Sequence, residues 1–216
     1  MRKYPLILFL LFGICSFNAQ INKPSFFDIQ KEVQKEFDLF NSSSKLVLDS
    51  TAFRDTVKMK LFTEERKNAY ETFALKKNKL TDQLNGVPYP DFYFEDFNDK
   101  AYSLSDFLNK KIVLNFNYAF CYKCIQQIDS LIYFAGKKTK IIVLLHDRKS
   151  DASDIYEKFG DKILLGFISP DYSAYYGLQS QTCTLLLDEN RNVKFFCQQM
   201  FRGNSENELY KQLKLF

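Results

Sequence analysis

Two cysteines separated by two residues carry the clearest chemical signal in this sequence. Cys121 and Cys124 stand where an apolar run that predicts a strand, residues 111–118, meets a run with helical spacing, residues 121–134. A pair at this spacing can cycle between a dithiol and a disulfide. A disulfide that closes so short a loop does little to stabilise a fold. The spacing therefore favours a redox-active pair over a structural bridge.

The predicted helix start distinguishes the two sulfurs. Unpaired amides and the helix dipole at a helix N-terminus favour a thiolate, so we predict that Cys121 is the nucleophile. Cys124 lies one turn further on, where it can attack the mixed disulfide and release the substrate. Lys123 either adds a stabilising positive charge or points into water, and the sequence leaves both possibilities open.

The first residues have the pattern of a secretory signal. Arg2 and Lys3 precede an apolar run over residues 5–17, and Ala19 offers a small residue for cleavage. We therefore expect a signal peptide over residues 1–19 and a location in the periplasm or cell envelope. The run is shorter than the ~20 residues of a membrane span, so anchoring is the weaker prediction. A lipoprotein attached through Cys15 is a further alternative.

The composition predicts a folded chain with a solvated surface and no nucleic-acid partner. Of 216 residues, 46% are hydrophobic and 26% charged, enough for a sizeable core. The net charge of +4 comes from lysines and arginines scattered among nearly as many acids, which argues against a nucleic-acid-binding face. The chain has 23 Phe and 13 Tyr, and most of these rings should lie in the core.

The pattern of hydrophobic residues divides the chain into two regions. Helical spacing dominates residues 24–84, which predicts a helical extension over 20–85 that packs on the following domain or spaces it from the envelope. Gly86 and two prolines mark the boundary. Residues 86–216 then alternate strands and helices and end in a hairpin and a helix. This order predicts an α/β fold with a mixed central sheet flanked by helices.

A series of short motifs then resembles the TlpA/ResA branch of the thioredoxin-like superfamily, over residues 88–216. The motifs are Pro90-Asp91-Phe92, Ser103-Leu104-Ser105-Asp106-Phe107, Val113-Leu114-Asn115-Phe116, Phe120-Cys121-Tyr122-Lys123-Cys124, Tyr176-Gly177-Leu178 and Leu186-Leu187-Asp188-Glu189-Asn190. The resemblance implies a thioredoxin-like fold and an exported reductase that needs no cofactor. Its implied partners are thiols and disulfides of envelope proteins, such as apocytochromes, and an electron donor in the membrane or periplasm.

Around the cysteine pair, the sequence departs from the family pattern. Phe120 replaces the usual Trp and keeps an aromatic wall, while Tyr122 and Lys123 are atypical spacer residues. Thr182 stands where the family has a cis-proline facing the disulfide. A cis peptide before threonine would cost ~3 kcal/mol, so we expect either a trans loop or strain at this position.

A second departure concerns proton transfer. Asn115 occupies the position of a buried aspartate in thioredoxins, and Gln126 and Gln127 stand where the branch often has a glutamate. Water would then have to move the proton of Cys124, or Asp129 if that side chain faces inwards.

The remaining cysteines and the only histidine leave several roles open. Cys183 follows Thr182, so the resemblance brings it near the active site, where it could resolve a disulfide, ligate a metal or act as a small hydrophobe. A cross-strand bridge to Cys197 would need a suitable hairpin register. His146 ends an apolar strand and is expected to be a surface or hydrogen-bonded residue.

Other functions of related folds fit the residues less well. A peroxiredoxin needs Pro and Thr where Leu114 and Tyr118 stand. A copper chaperone spaces its cysteines more widely and uses a histidine, and a zinc site needs a second Cys/His pair, so we predict no metal site. The favoured hypothesis is a thiol-disulfide oxidoreductase. Its alternatives are a degenerate thioredoxin-like module that binds without turnover, and metal handling by the cysteine pair.

Overall fold

A computed structural model of the chain describes residues 24–43, 56–169, 182–198 and 204–216. The predicted signal peptide and the motif at residues 176–178 lie outside these ranges. The helices are α1 (Phe26–Ser43), α2 (Thr56–Asp82), α3 (Tyr122–Phe134), α4 (Ser153–Phe159) and α5 (Asn204–Leu215). The strands are β1 (Tyr93–Asp96), β2 (Ala101–Ser103), β3 (Lys111–Asn117), β4 (Thr139–Leu145), β5 (Leu164–Phe167), β6 (Cys183–Leu187) and β7 (Val193–Gln198).

The strands form one sheet of seven in the order β2-β1-β5-β4-β3-β6-β7. The strands β3, β4 and β5 are parallel to one another, whereas β6 runs antiparallel to β3 and pairs with β7 in a hairpin. At the other edge, β1 pairs antiparallel with both β2 and β5. The predicted α/β fold with a mixed sheet flanked by helices is confirmed. The central strand, β3, leads directly into α3 and the cysteine pair.

Each face of the sheet supports its own apolar layer. Along β3, Ile112, Leu114 and Phe116 belong to one buried cluster, which also holds Phe26 of α1, and we call this the α1 layer. Val113 belongs to a second cluster with Ile128 of α3, which we call the α3 layer. This alternation follows from the two-residue period of a strand, and burial on both faces explains the nearly continuous apolar composition of β3.

Helix α1 contributes to the core of the sheet domain. Phe26 and Ile29 are buried in the α1 layer, and the Phe26 ring lies 4.8 Å from the Tyr89 ring in an edge-to-face contact. Leu84, just beyond α2, is buried in the same layer. The boundary at residue 86 stays a prediction, but the apolar layer runs across it.

The two N-terminal helices also contact each other. Phe40 of α1 stacks on Phe73 of α2 with ring centroids 5.4 Å apart. Beside these rings, Lys76 forms an ion pair with Glu36 at 2.9 Å. Within the described ranges, no helix has the length and apolar character needed to cross a membrane.

Candidate active site

The cysteine pair lies at the N-terminus of α3, directly after the central strand. Cys121 is the N-cap residue of the helix, and its Sγ accepts a hydrogen bond from the backbone N–H of Cys124 at 3.3 Å. The two residues form a disulfide, with Cα atoms 5.1 Å apart. The predicted strand-to-helix junction is therefore present, and a backbone donor faces the Cys121 sulfur.

The two cysteines differ in their access to solvent. Cys121 is partly exposed, whereas Cys124, in the first turn of α3, is completely buried. Cys121 is therefore the more accessible residue of the pair to a molecule in solution. In the dithiol state, the helix N-terminus and the Cys124 N–H would favour the thiolate of Cys121.

Two aromatic rings stand on the surface around the pair. Phe120 is 77% exposed and Tyr122 is 73% exposed. Lys123, between Tyr122 and Cys124, is exposed as well. The predicted aromatic wall at Phe120 therefore lies at the solvent surface, where its ring is available to contact another molecule.

A chain of buried side-chain amides runs beneath the disulfide. The Asn117 Nδ2 donates to the backbone oxygen of Cys124 at 3.2 Å and to the Asn115 Oδ1 at 3.1 Å. The Asn115 Nδ2 in turn donates to the Thr184 Oγ1 at 2.8 Å, with the Gln127 Oε1 and the Cys183 carbonyl further away, at 3.3 and 3.4 Å. We call the hydrogen-bonded series of Asn117, Asn115 and Thr184 the amide chain, in which Thr184 contributes its hydroxyl group.

The acids near the pair face elsewhere. Asp129 is exposed and forms an ion pair with Lys158 at 2.8 Å, so it does not face inwards and cannot take the proton of Cys124. Among the described residues, the only buried carboxylate is Asp96, which accepts backbone hydrogen bonds in the β1–β2 turn. Of the two glutamines, Gln127 is buried and Gln126 is exposed.

The loop before Cys121 is held by the end of β4. The carboxylate of Asp147 accepts a hydrogen bond from the backbone N–H of Ala119. The backbone N–H of His146 donates to the backbone oxygen of Asn117 at 3.2 Å, and the His146 ring stacks on Tyr118 with centroids 4.9 Å apart. Burial lowers the pKa of His146, although the nearby charge of Asp147 acts in the opposite direction.

The hairpin register separates the other two cysteines. Thr184 pairs with Cys197, and Cys183 pairs with Gln198. The Cys183 side chain therefore lies in the α1 layer and the Cys197 side chain in the α3 layer, on opposite faces of the sheet. The cross-strand bridge that we considered from the sequence does not form. Burial raises the pKa of the Cys183 thiol.

Thr182 is partly buried and directly precedes β6. The peptide bond before it involves residue 181, outside the described residues, so the expectation of a trans loop or strain stays a prediction. In the part of the chain that the structure describes, there is no cluster of three or more His, Cys, Asp or Glu side chains that could hold a metal ion.

Sequence reasoning missed three residues of this site: Asn117, Thr184 and Asp147. Asn115 and Asn117 alternate in an otherwise apolar strand, so they share one face, and this pattern could have indicated a polar contact with α3. Thr184 and Asp147 gave no comparable signal, because their contacts depend on register and loop path.

Comparison with solved structures identifies the fold as thioredoxin-like. One similar structure is the thioredoxin domain of a thiol-disulfide oxidoreductase from Bacteroides vulgatus, with 20% identity and a TM-score of 0.51, covering 61% of this chain and 96% of that one. Another is a thiol:disulfide interchange protein from Bacteroides sp., with 20% identity and a TM-score of 0.50, covering 61% of this chain and 89% of that one. A third is a protein of Chlorobium tepidum with the provisional description of thiol:disulfide interchange protein DsbE, with 20% identity and a TM-score of 0.50, covering 60% of this chain and 94% of that one. Neither the protein-family models nor the curated proteins give a match.

Proposed function

We propose that the chain is a thiol-disulfide oxidoreductase in which Cys121 attacks the substrate and Cys124 resolves the mixed disulfide. The observation that carries this proposal is the asymmetry of the pair: Cys121 is partly exposed at a helix N-terminus, and Cys124 is buried behind it. The names of the similar structures, among them a thiol-disulfide oxidoreductase and a thiol:disulfide interchange protein, support the same chemistry.

The reaction balances without a cofactor. The Cys121 thiolate attacks one sulfur of a substrate disulfide, forms a mixed disulfide and releases the other substrate sulfur as a thiolate, which takes a proton. The Cys124 thiol gives its proton to water, and its thiolate attacks the Cys121 sulfur, forms the internal disulfide and releases the second substrate sulfur as a thiolate, which takes a proton from water. Two electrons pass from the cysteine pair to the substrate. A donor dithiol must reduce the pair again before the next cycle.

We place this activity in the cell envelope, within the TlpA/ResA branch. The signal-like pattern of residues 1–19 and the order of motifs across residues 88–216 support both points. The substrates would then be disulfides of envelope proteins, and the donor a membrane or periplasmic dithiol protein. The reduction potential of the pair decides whether the net reaction reduces or oxidises them.

The test is turnover with a model disulfide. The oxidised protein should take up two electrons from dithiothreitol and then reduce the disulfides of insulin. Cys121→Ser should abolish this activity, and Cys124→Ser should trap a mixed disulfide through Cys121. Absence of turnover in the unaltered protein would rule out the proposed oxidoreductase activity.

A binding module without turnover is the second candidate. Two observations favour it: Thr182 replaces the expected proline, and the rings of Phe120 and Tyr122 are exposed beside the disulfide. Such a module would capture its partner equally well when both Cys121 and Cys124 are replaced by serine. An oxidoreductase would lose the covalent complex in that double variant.

A further inference from the structure

Every hydrogen-bonding group of the Asn117 side-chain amide has a partner beneath the cysteine pair. Its two N–H groups go to the Asn115 Oδ1 and the Cys124 backbone oxygen, at 3.1 and 3.2 Å. Its Oδ1 accepts from the backbone N–H of Tyr118 at 2.9 Å. Both donors and the acceptor of a buried amide are thus engaged, so its orientation is well determined.

The residue that Asn117 holds also carries the donor that faces the nucleophile. The Cys124 N–H donates to the Cys121 Sγ at 3.3 Å, and the Cys124 carbonyl accepts from Asn117. Cys124 is therefore fixed at both of its backbone polar groups. A shift of its carbonyl would move the first turn of α3 and change the direction of the N–H that faces Cys121.

Asn117 is itself fixed from the centre of the sheet. Asn115 and Thr184 are both completely buried, on β3 and β6, and pair directly in the register of these strands. Their hydrogen bond at 2.8 Å orients the Asn115 amide so that its Oδ1 meets Asn117. A buried amide that loses its hydrogen bonds destabilises the fold, so the chain of bonds favours a single arrangement.

We propose that Asn117 is a positioning residue for the redox pair, which holds Cys124 so that its N–H points at the Cys121 sulfur. Asn115 and Thr184 act through Asn117. This role rests on the proposed function, because it concerns the thiolate that starts the exchange reaction. In the dithiol state, the same N–H stabilises the negative charge on Cys121, and loss of Asn117 weakens that stabilisation.

The test measures the reactivity of Cys121 without any substrate. The protein is reduced, freed of reductant and treated with iodoacetamide near neutral pH, and the alkylated peptides are quantified by mass spectrometry. Trypsin cleavage after Lys123 separates Cys121 from Cys124. Asn117→Leu, which keeps the size of the side chain and removes its hydrogen bonds, should slow alkylation of Cys121 by about three- to tenfold.

Two further variants make the result decisive. Val113→Ala removes a buried side chain from the same face of β3 without removing a side-chain hydrogen bond, so its alkylation rate should stay within about twofold of the unaltered protein. Thr184→Val removes the hydroxyl group at the far end of the amide chain, and should slow the reaction by about two- to threefold. Circular dichroism and thermal melting establish that each variant is folded.

An unchanged rate in folded Asn117→Leu overturns the proposal, and so does an equal loss of rate in Val113→Ala. If Asn117→Leu does not fold, Thr184→Val decides, and an unchanged rate there overturns the proposal. Failure of the proposed function is a separate result: the unaltered protein would show no turnover with insulin, while the alkylation rates would still differ between the variants.

Discussion

The side chains of Cys183 and Cys197 lie on opposite faces of the sheet, although the two residues stand on adjacent strands. Thr184 is the residue that pairs with Cys197, and the offset of one position sends the two thiols into different apolar layers. Cys183 is completely buried, and burial raises the pKa of its thiol. The Cys183 thiol is therefore closed off from solvent inside the α1 layer.

We expect that Cys183 does not react in the folded protein. Iodoacetamide should label Cys121 in the reduced native protein and should label Cys183 only after unfolding, because the raised pKa and the burial of Cys183 suppress its thiolate. Peptide mass spectrometry before and after denaturation measures this difference. A peptide that links Cys183 to Cys197 in the native protein would contradict the observed register.

Removing the exposed ring of Phe120 should affect substrates of different size differently. For Phe120→Ala we expect kcat/KM for the protein disulfides of insulin to fall about fivefold or more, because an exposed aromatic ring supplies contact area at an interface. Reduction of a small aromatic disulfide should change much less. The free energy of unfolding should stay within about 0.5 kcal/mol of the unaltered value.

Tyr133→Ala is the matched control for that experiment. Tyr133 is 81% exposed but lies near the far end of α3, away from the cysteine pair. Its removal should leave both substrates unaffected. An equal loss of insulin reduction in the two variants would show that surface aromatic content, rather than the position of Phe120, matters.

Stability should decrease on mild acidification because of His146. Burial lowers the pKa of His146 in the folded chain, so the unfolded chain binds the proton more readily. The contribution of His146 to stability is therefore fully present above its ordinary pKa of 6.5 and is lost as the pH falls below that value. The slope for one group is at most about 1.4 kcal/mol per pH unit. Urea unfolding between about pH 8 and about pH 5 measures it.

His146→Gln should flatten that part of the stability curve, since His146 is the only histidine in the chain. Asp91 and Asp188 act at lower pH. Hydrogen bonds lower the pKa values of Asp91 and Asp188 despite the opposing effect of burial, so their contribution is lost only as the pH falls below the ordinary value of 3.8. An unchanged slope in His146→Gln would mean that another group is responsible.

Phe26 should contribute to the stability of the whole domain. It is only 2% exposed and packs on Tyr89 in the α1 layer, so Phe26→Ala should reduce the free energy of unfolding by about 3–5 kcal/mol. Leu39→Ala, a change on the same helix at a residue that is 54% exposed, is the control and should cost less than about 1 kcal/mol. A loss at Phe26 no larger than that at Leu39 would mean that α1 is not part of the core.

The sequence was sufficient to predict the strand before the cysteine pair, the helix after it and the closing hairpin. These features depend on local patterns, such as the apolar run of β3 and the helical spacing of Ile125 and Ile128. The class of fold followed from the alternation of strands and helices. The resemblance to a known branch supplied the order of elements around the pair.

The contacts of the site could not be predicted in the same way. A single sequence does not state the register between β6 and β7, and only that register separates Cys183 from Cys197. The direction of the Asp129 side chain was equally open, because a helix residue between the apolar positions Ile128 and Leu131 can face inwards or outwards. Asn117 was missed because its hydrogen bond to Cys124 depends on how α3 packs against the sheet.

The packing of α1 has a practical consequence for anyone who isolates the redox domain. A shortened chain beginning at residue 86 would carry the cysteine pair, the sheet and the amide chain, but it would lack Phe26, Ile29 and Leu84. The surface left open would include the ring of Tyr89, and an apolar opening of this kind promotes self-association. Aggregation of such a fragment would then reflect the missing helix, and would say nothing about the chemistry of Cys121.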